Sequence, residues 1–101
     1  MSAYIVFTRM RTRNQAEIDT YAKQAPFFFE DRPLKWHARF GKHEILEGPG
    51  VEGIAIIEFP TFEDAKAWYN SPAYQEASKH RHLGGDYSAI IVEGVPNNAV
   101  H

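Results

Sequence analysis

The chain has 101 residues, 44% hydrophobic and 14% aromatic, which suits one domain with a real core and is far from a disordered composition. Its 13 acidic and 11 basic residues leave a net charge of -2 with no block of like charge, which argues against a nucleic-acid or anionic-membrane surface as the main partner. The absence of cysteine excludes disulfides, thiolate metal sites and cysteine nucleophiles, and no apolar run approaches the roughly 18 residues of a membrane span.

Tyr4-Ile-Val-Phe-Thr8 is β-branched and aromatic, the composition of a buried strand. The residues before it carry no basic segment or cleavage site, so a soluble cytoplasmic protein is expected. Arg9, Arg11 and Arg13 alternate at the end of this strand and read as a solvated edge. Asn14 with Glu17 three residues on is a capping-box pattern. The helix it opens carries Ile18, Tyr21, Ala22 and Ala25 on one face. Pro26 ends or kinks it, because the proline ring clashes with the carbonyl four residues back. Phe27, Phe28 and Phe29 are expected to add a distorted helical turn.

From Lys35 to Phe40 the pattern alternates, Trp36, Ala38 and Phe40 on one face and Lys35, His37 and Arg39 on the other. Gly41-Lys42 reads as a turn and His43 to Glu47 as a short strand. Gly53 to Phe59 is a strong strand closed by Pro60. Thr61, with Asp64 three residues on, starts a helix whose inward face is Phe62, Ala65 and Trp68 or Tyr69. The chain breaks before Pro72 and restarts with Ser71 as N-cap and Pro72 at the first helical position. Tyr74, Ala77, Ser78 and Arg81 form the face of this second piece. Gly84-Gly85 stops it, and Tyr87 to Glu93 is the last strand. Residues 1–95 are expected to form a single domain and 96–101 a loose tail.

This order is the split βαβ of an α+β, ferredoxin-like domain: an antiparallel sheet with two helical segments on one face, the second of them broken at Pro72. Its sheet should alternate apolar and polar residues if one face is wet. Instead Ile5 and Phe7 oppose Tyr4 and Val6, Ala55, Ile57 and Phe59 oppose Ile54 and Ile56, and Ala89 and Ile91 oppose Ile90 and Val92. The helices can cover one face alone. A homodimer closed through the other, with the two sheets forming a shared barrel, is therefore expected.

Glu58-Phe59-Pro60-Thr61, Ala65, Trp68-Tyr69-Asn70-Ser71-Pro72-Ala73-Tyr74 and Arg81 together resemble the family catalogued as domain of unknown function 1330. Ile45-Leu46-Glu47-Gly48 and Val92-Glu93-Gly94 extend the likeness over nearly the whole chain. The resemblance implies the dimeric α+β barrel superfamily, which includes cofactor-free monooxygenases, haem-dependent enzymes and ligand-binding proteins, so it fixes no reaction. Pro33-Leu34 stands where relatives commonly have Gly-Gly, and His37 where an aliphatic residue is usual. That loop and the pocket beside it are candidates for specialisation.

Seven residues are candidates for a ligand site. Trp68, Tyr69 and Tyr74 can wall a pocket for a flat ligand, though their helical spacing fits core packing equally well. If the Trp36 face meets the helices, His37 and Arg39 point together into the barrel, with Glu58 as a partner for the arginine. That pairing is either an internal salt bridge or a guanidinium fork for a ligand carboxylate, with His37 as acid or base. Arg81 can bond terminal helix carbonyls or reach the pocket mouth. Ser71 is accounted for as a cap, and no GxSxG surrounds it. His80 and His82 sit two apart on a helix and do not share a face, so no metal or other cofactor is expected. The leading expectation is a small dimeric barrel binding a carboxylated or aromatic organic molecule, with cofactor-independent chemistry open. The alternative is a non-catalytic interaction module whose barrel is filled by its own side chains.

Overall fold

The computed structural model describes residues 1–96. The tail expected to be loose lies, beyond Pro96, outside the described residues. The elements run β1 (Ala3–Thr12), α1 (Gln15–Gln24), β2 (Phe28–Phe29), β3 (Arg32–Pro33), β4 (Lys35–Arg39), β5 (Gly53–Phe59), α2 (Phe62–Tyr69), α3 (Pro72–Gly84) and β6 (Gly85–Glu93). Four strands form one antiparallel sheet in the order β4-β5-β1-β6. β1 and β4 flank β5 and are linked through α1, which is the split βαβ arrangement expected of a ferredoxin-like α+β domain.

The helices begin where short polar side chains can take an orphan N–H. Asn14 Oδ1 accepts from Glu17 N at 3.3 Å, Thr61 Oγ1 from Asp64 N at 3.0 Å, and Ser71 Oγ from Tyr74 N at 3.3 Å. The reciprocal half of the capping box is not formed. The Glu17 carboxylate bonds His80 Nδ1 at 2.6 Å instead, while Asn14 N donates to Gly84 O, so the start of α1 is tied to α3. Helix α1 ends at Gln24, and Ala25, the residue before Pro26, is already extended, as the proline ring requires.

Three expectations are corrected beyond this point. Phe27 to Phe29 do not continue a helix: Phe28 and Phe29 pair with Pro33 and Arg32 in a two-residue-loop hairpin. Glu30 and Asp31, at φ 52° and 61°, supply the two left-handed residues that match such a turn to strand twist. Residues 43 to 47 form no strand. Strand β4, finally, does not alternate throughout. Trp36 pairs with Ile57 but Ala38 pairs with Ile56, so a bulge at His37 takes one residue out of register.

The core lies between the sheet and the helices. Ala3, Ile5 and Phe7 of β1, Ala55, Ile57 and Phe59 of β5, Ala65 and Trp68 of α2, and Tyr74 and Ala77 of α3 are buried there. The opposite face carries Tyr4, Val6, Ile54, Ile56, Ile90 and Val92. No element among the described residues lies over it, and Ile90 and Val92 are 59% and 47% exposed. No helix among the described residues is long and apolar enough to cross a membrane.

Candidate functional site: an aromatic cavity with three arginines

A cavity of about 140 Å³ lies on the helix-covered side of the sheet, between α1, α3 and strands β1, β4 and β5. Its floor follows from register. Ala55 pairs with Phe7 on one side and Arg39 on the other, so a methyl group sits between two long side chains on one face. Six aromatic side chains stand in the walls: Phe7, Tyr21, Phe27, Trp36, Phe40 and Tyr87.

Arg9, Arg39 and Arg81 enter this apolar space, each over a ring. Arg39 lies 4.2 Å from the Trp36 centroid and 5.2 Å from Phe27. Arg81 lies 5.2 Å from Phe7 and 5.1 Å from Tyr87, and Arg9 lies 4.9 Å from Phe40. Stacking on the quadrupole of a ring stabilises a guanidinium without using its in-plane N–H groups. Arg9 has a partial counter-charge, since its Nε is 3.3 Å from Glu52 Oε1 without hydrogen-bond geometry. Arg39 and Arg81 form no ion pair with a carboxylate among the described residues.

Arg81 is the most constrained of the three. It is 3% exposed, its Nε has no hydrogen-bond partner, and its Nη2 donates weakly to the Tyr69 hydroxyl at 3.4 Å. Its positive charge, after burial, helps hold the His82 imidazole below the ordinary value. Next to it the Tyr21 and Tyr74 hydroxyls are bonded to one another at 2.9 Å. Burial first of all pushes both phenols above their ordinary value, and at Tyr74 the neighbouring Arg81 charge opposes that rise without cancelling it. Both remain neutral hydroxyls near neutral pH, available as hydrogen-bond donors and not as bases. The residues lining the cavity include no carboxylate and no imidazole.

Phe40 closes one side in an unusual backbone state. It sits at φ 54°, sparsely allowed for a bulky residue, and its N–H donates to Ile54 O at 2.8 Å. Its ring packs on Gly53, where an added Cβ would fall 2.6 Å from Phe40 Cδ1. The glycine leaves room for the ring that meets Arg9.

The expected site residues divide into three groups. Arg39 and Arg81 line the cavity, Arg81 in its wall and not at its mouth or on terminal carbonyls. Tyr69, Tyr74 and Trp68 stand behind it. Tyr69 accepts from Arg81, Tyr74 holds Tyr21, and the Trp68 indole donates to Pro26 O at 2.8 Å. His37 and Glu58 are elsewhere. The bulge that turns Arg39 toward the helices leaves His37 on the open face, its Nε2 2.6 Å from Glu58 Oε1 and its ring edge-on to Tyr4. Glu58 also accepts from Ser2 and lies 3.6 Å from Lys35, and the first of these contacts, to His37, does most to hold its carboxyl below the ordinary range. The expectation of a joint His37-Arg39 site with Glu58 as partner of Arg39 is thereby corrected.

A broader groove of about 380 Å³ runs beside the hairpin and includes Pro33, Leu34, Lys35 and Glu58. Lys35 and Glu58 in it pair with each other, and Glu30 and Arg32, which also line it, are exposed to solvent at the hairpin. Among the described residues no three His, Asp or Glu side chains group as metal ligands. His80 faces Glu17, and the adjacent Arg81 points into the core.

Arg9, Tyr21, Phe27, Trp36, Phe40 and Tyr87 were not among the expected site residues. Ile5, Phe7 and Arg9 share a strand face at spacing two, so an arginine in line with two core residues was a readable signal for Arg9.

Two solved structures from the bacterium Rhodopseudomonas palustris are similar to this chain. RPA0582, a protein of unknown function, is 20% identical with a TM-score of 0.68 over 94% of this chain and 83% of its own. Its methylated form is 19% identical with a TM-score of 0.69 over 97% and 84%. A dimeric protein of unknown function and ferredoxin-like fold from Bacteroides fragilis is 10% identical, with a TM-score of 0.55 over 92% of this chain and 96% of its own. At these identities the likeness speaks for the fold alone. Among curated proteins no relative matches. The model of the family described as domain of unknown function (DUF1330) matches residues 2–95, and the chain belongs to that family.

Proposed function

We propose that the protein is a homodimer whose protomers each bind a small organic carboxylate in the arginine-lined cavity between helices and sheet. The observation that carries this is Arg81: a guanidinium 3% exposed, with an unpartnered Nε and no carboxylate of its own, in the wall of an apolar cavity. A buried charge without a counter-charge is costly, and a site that keeps one is poised for an anion from outside. Arg39, across the Ala55 floor, offers a second fork.

Binding is favoured over proton-transfer chemistry. His37, the expected acid or base, faces away from the cavity, and the lining phenol of Tyr21 stays protonated. The empty volume beside Ala55 favours a binding role for the space between helices and sheet over one filled by the chain's own side chains.

The dimer part rests on the uncovered apolar face and on the dimeric state described for the similar Bacteroides fragilis protein. A second copy laid on this face would bury Val6, Ile54, Ile56, Ile90 and Val92 against their equivalents. The test of the ligand part is thermal unfolding with a panel of small carboxylates and their amides. Carboxylates should raise the melting temperature and amides should not, and Arg81→Met should remove the difference. A panel without any carboxylate-dependent shift would favour the interaction module.

A further inference from the structure

Resting on the reading of the cavity as an anion site, we infer that its ligand is an aromatic carboxylate with a single ring. The first ground is size. At about 140 Å³ the space is close to the roughly 150 Å³ of an engineered apolar cavity known to take benzene, a fit for one ring with little room beyond it. The second is the character of the walls. Six aromatic side chains line a space this small, and several already meet edge to face, Phe27 with Trp36 at 68° and Tyr21 with Phe27 at 83°. Such walls offer both ring faces and ring edges, which an aromatic guest complements and a saturated ring of the same size does not.

The third ground is the state of the arginines. Arg39 and Arg81 each have two aromatic rings within 5.2 Å of the guanidinium carbon, contacts that use no N–H, so apart from the Arg81 Nη2 bond to Tyr69 their donors remain for a planar, two-oxygen acceptor. A carboxylate attached directly to a ring is coplanar with it, so one flat molecule can satisfy the aromatic space and a guanidinium edge together. Ala55 sets the depth available to the ring, being buried, small, and placed between Phe7 and Arg39.

The experiment compares four probes by calorimetry on the intact chain: benzoate, cyclohexanecarboxylate, benzamide and 2-naphthoate. Benzoate should bind at least tenfold tighter than each of the others. Ala55→Leu should abolish benzoate binding by filling the floor. Arg39→Gln, a change at an exposed position, should weaken it at least tenfold and leave the unfolding midpoint close to the parent's. Equal affinity for benzoate and cyclohexanecarboxylate would overturn the aromatic inference and leave the anion site standing. Equal affinity for benzoate and benzamide would overturn the anion reading itself. Binding of 2-naphthoate as tight as benzoate would overturn the single-ring limit, and no binding of any probe would overturn both readings.

Discussion

The Arg39 guanidinium carbon lies over Trp36, 4.2 Å from its ring centroid, although the two stand three positions apart in one strand. A regular strand puts such positions on opposite faces. The bulge at His37 brings them to the same face and turns a surface arginine into a wall of the cavity. Arg39→Ala should therefore weaken carboxylate binding by about ten- to a hundredfold, the worth of a charge-assisted hydrogen bond of about 1.5–3 kcal/mol. The position is exposed, so unfolding stability should change by no more than about 0.5 kcal/mol. Arg39→Lys should restore only part of the affinity, because an ammonium neither stacks nor forks. Titration calorimetry beside urea unfolding separates the two effects. A fully active lysine variant would show that charge alone matters there.

Arg81 presents the opposite balance. Its burial without a counter-charge suggests that it costs stability in the empty protein. Arg81→Met keeps much of the packing of the stem and removes the charge. The variant should unfold at the same urea concentration as the parent or higher, with a gain of about 1 kcal/mol, and should lose the carboxylate-dependent thermal shift. A loss of more than about 2 kcal/mol would instead make Arg81 a structural element of the α3 packing.

These two arginines also mark how far the sequence could be read. The four long strands, the three caps and the break at Pro72 were legible because each has a local cause: period-two burial, a short polar side chain, a ring that forbids a dihedral. So was the apolar second face, from Val6, Ile56 and Ile90. The faces of β4 were not. A bulge leaves the alternation of Lys35 to Phe40 unchanged on paper and reverses its meaning after His37. The Phe27 to Phe29 run misled for a related reason, since three aromatics suit a helix or a strand and only the turn at Glu30-Asp31 decides. Arg81 was legible as an inward residue of α3, but its lack of a partner is a property of the assembled core.

The uncovered sheet face predicts a solution mass of about twice the 11.6 kDa chain, measurable by light scattering after size exclusion. Val6 and Ile56 are cross-strand neighbours near the centre of that face. Replacing Ile56 by Glu should remove about 1.5 kcal/mol or more of apolar burial from each protomer. Two-fold symmetry doubles this to about 3 kcal/mol, or roughly two orders of magnitude in the dimer Kd, before the repulsion of facing carboxylates is counted. An unaltered protein that stays monomeric at micromolar concentration would remove the dimer from the proposal.

Ser71 is placed to bond in two directions: its hydroxyl donates to Trp68 O at 2.7 Å and accepts from Tyr74 N at 3.3 Å. It thus closes α2 and opens α3 with one oxygen. Ser71→Ala should cost about 1–2 kcal/mol, the upper part of the range for an N-cap, and should be read in the urea midpoint with unchanged slope. Carboxylate affinity should stay within about twofold, since the cap is behind Tyr74 and not in the cavity lining. A nucleophilic serine would behave differently, with function lost and stability kept.

Glu58 carries the pH dependence of the open face. Its carboxyl is held below the ordinary range, first by the hydrogen bond from His37 and then by Ser2 and the Lys35 charge. For a carboxyl whose folded value is depressed, the unfolded chain binds the proton more readily. The stabilisation is therefore complete above the unfolded value of about 4.3 and disappears as pH falls through the lower folded value. Urea unfolding between pH 7 and pH 3 should show a steeper acid loss in the parent than in Glu58→Gln, with the two curves converging at the acid end. Because Glu58 faces away from the arginine cavity, the same substitution should leave carboxylate affinity at pH 7 unchanged. A parallel acid limb in both proteins would mean that the His37-Glu58 contact contributes nothing to folding.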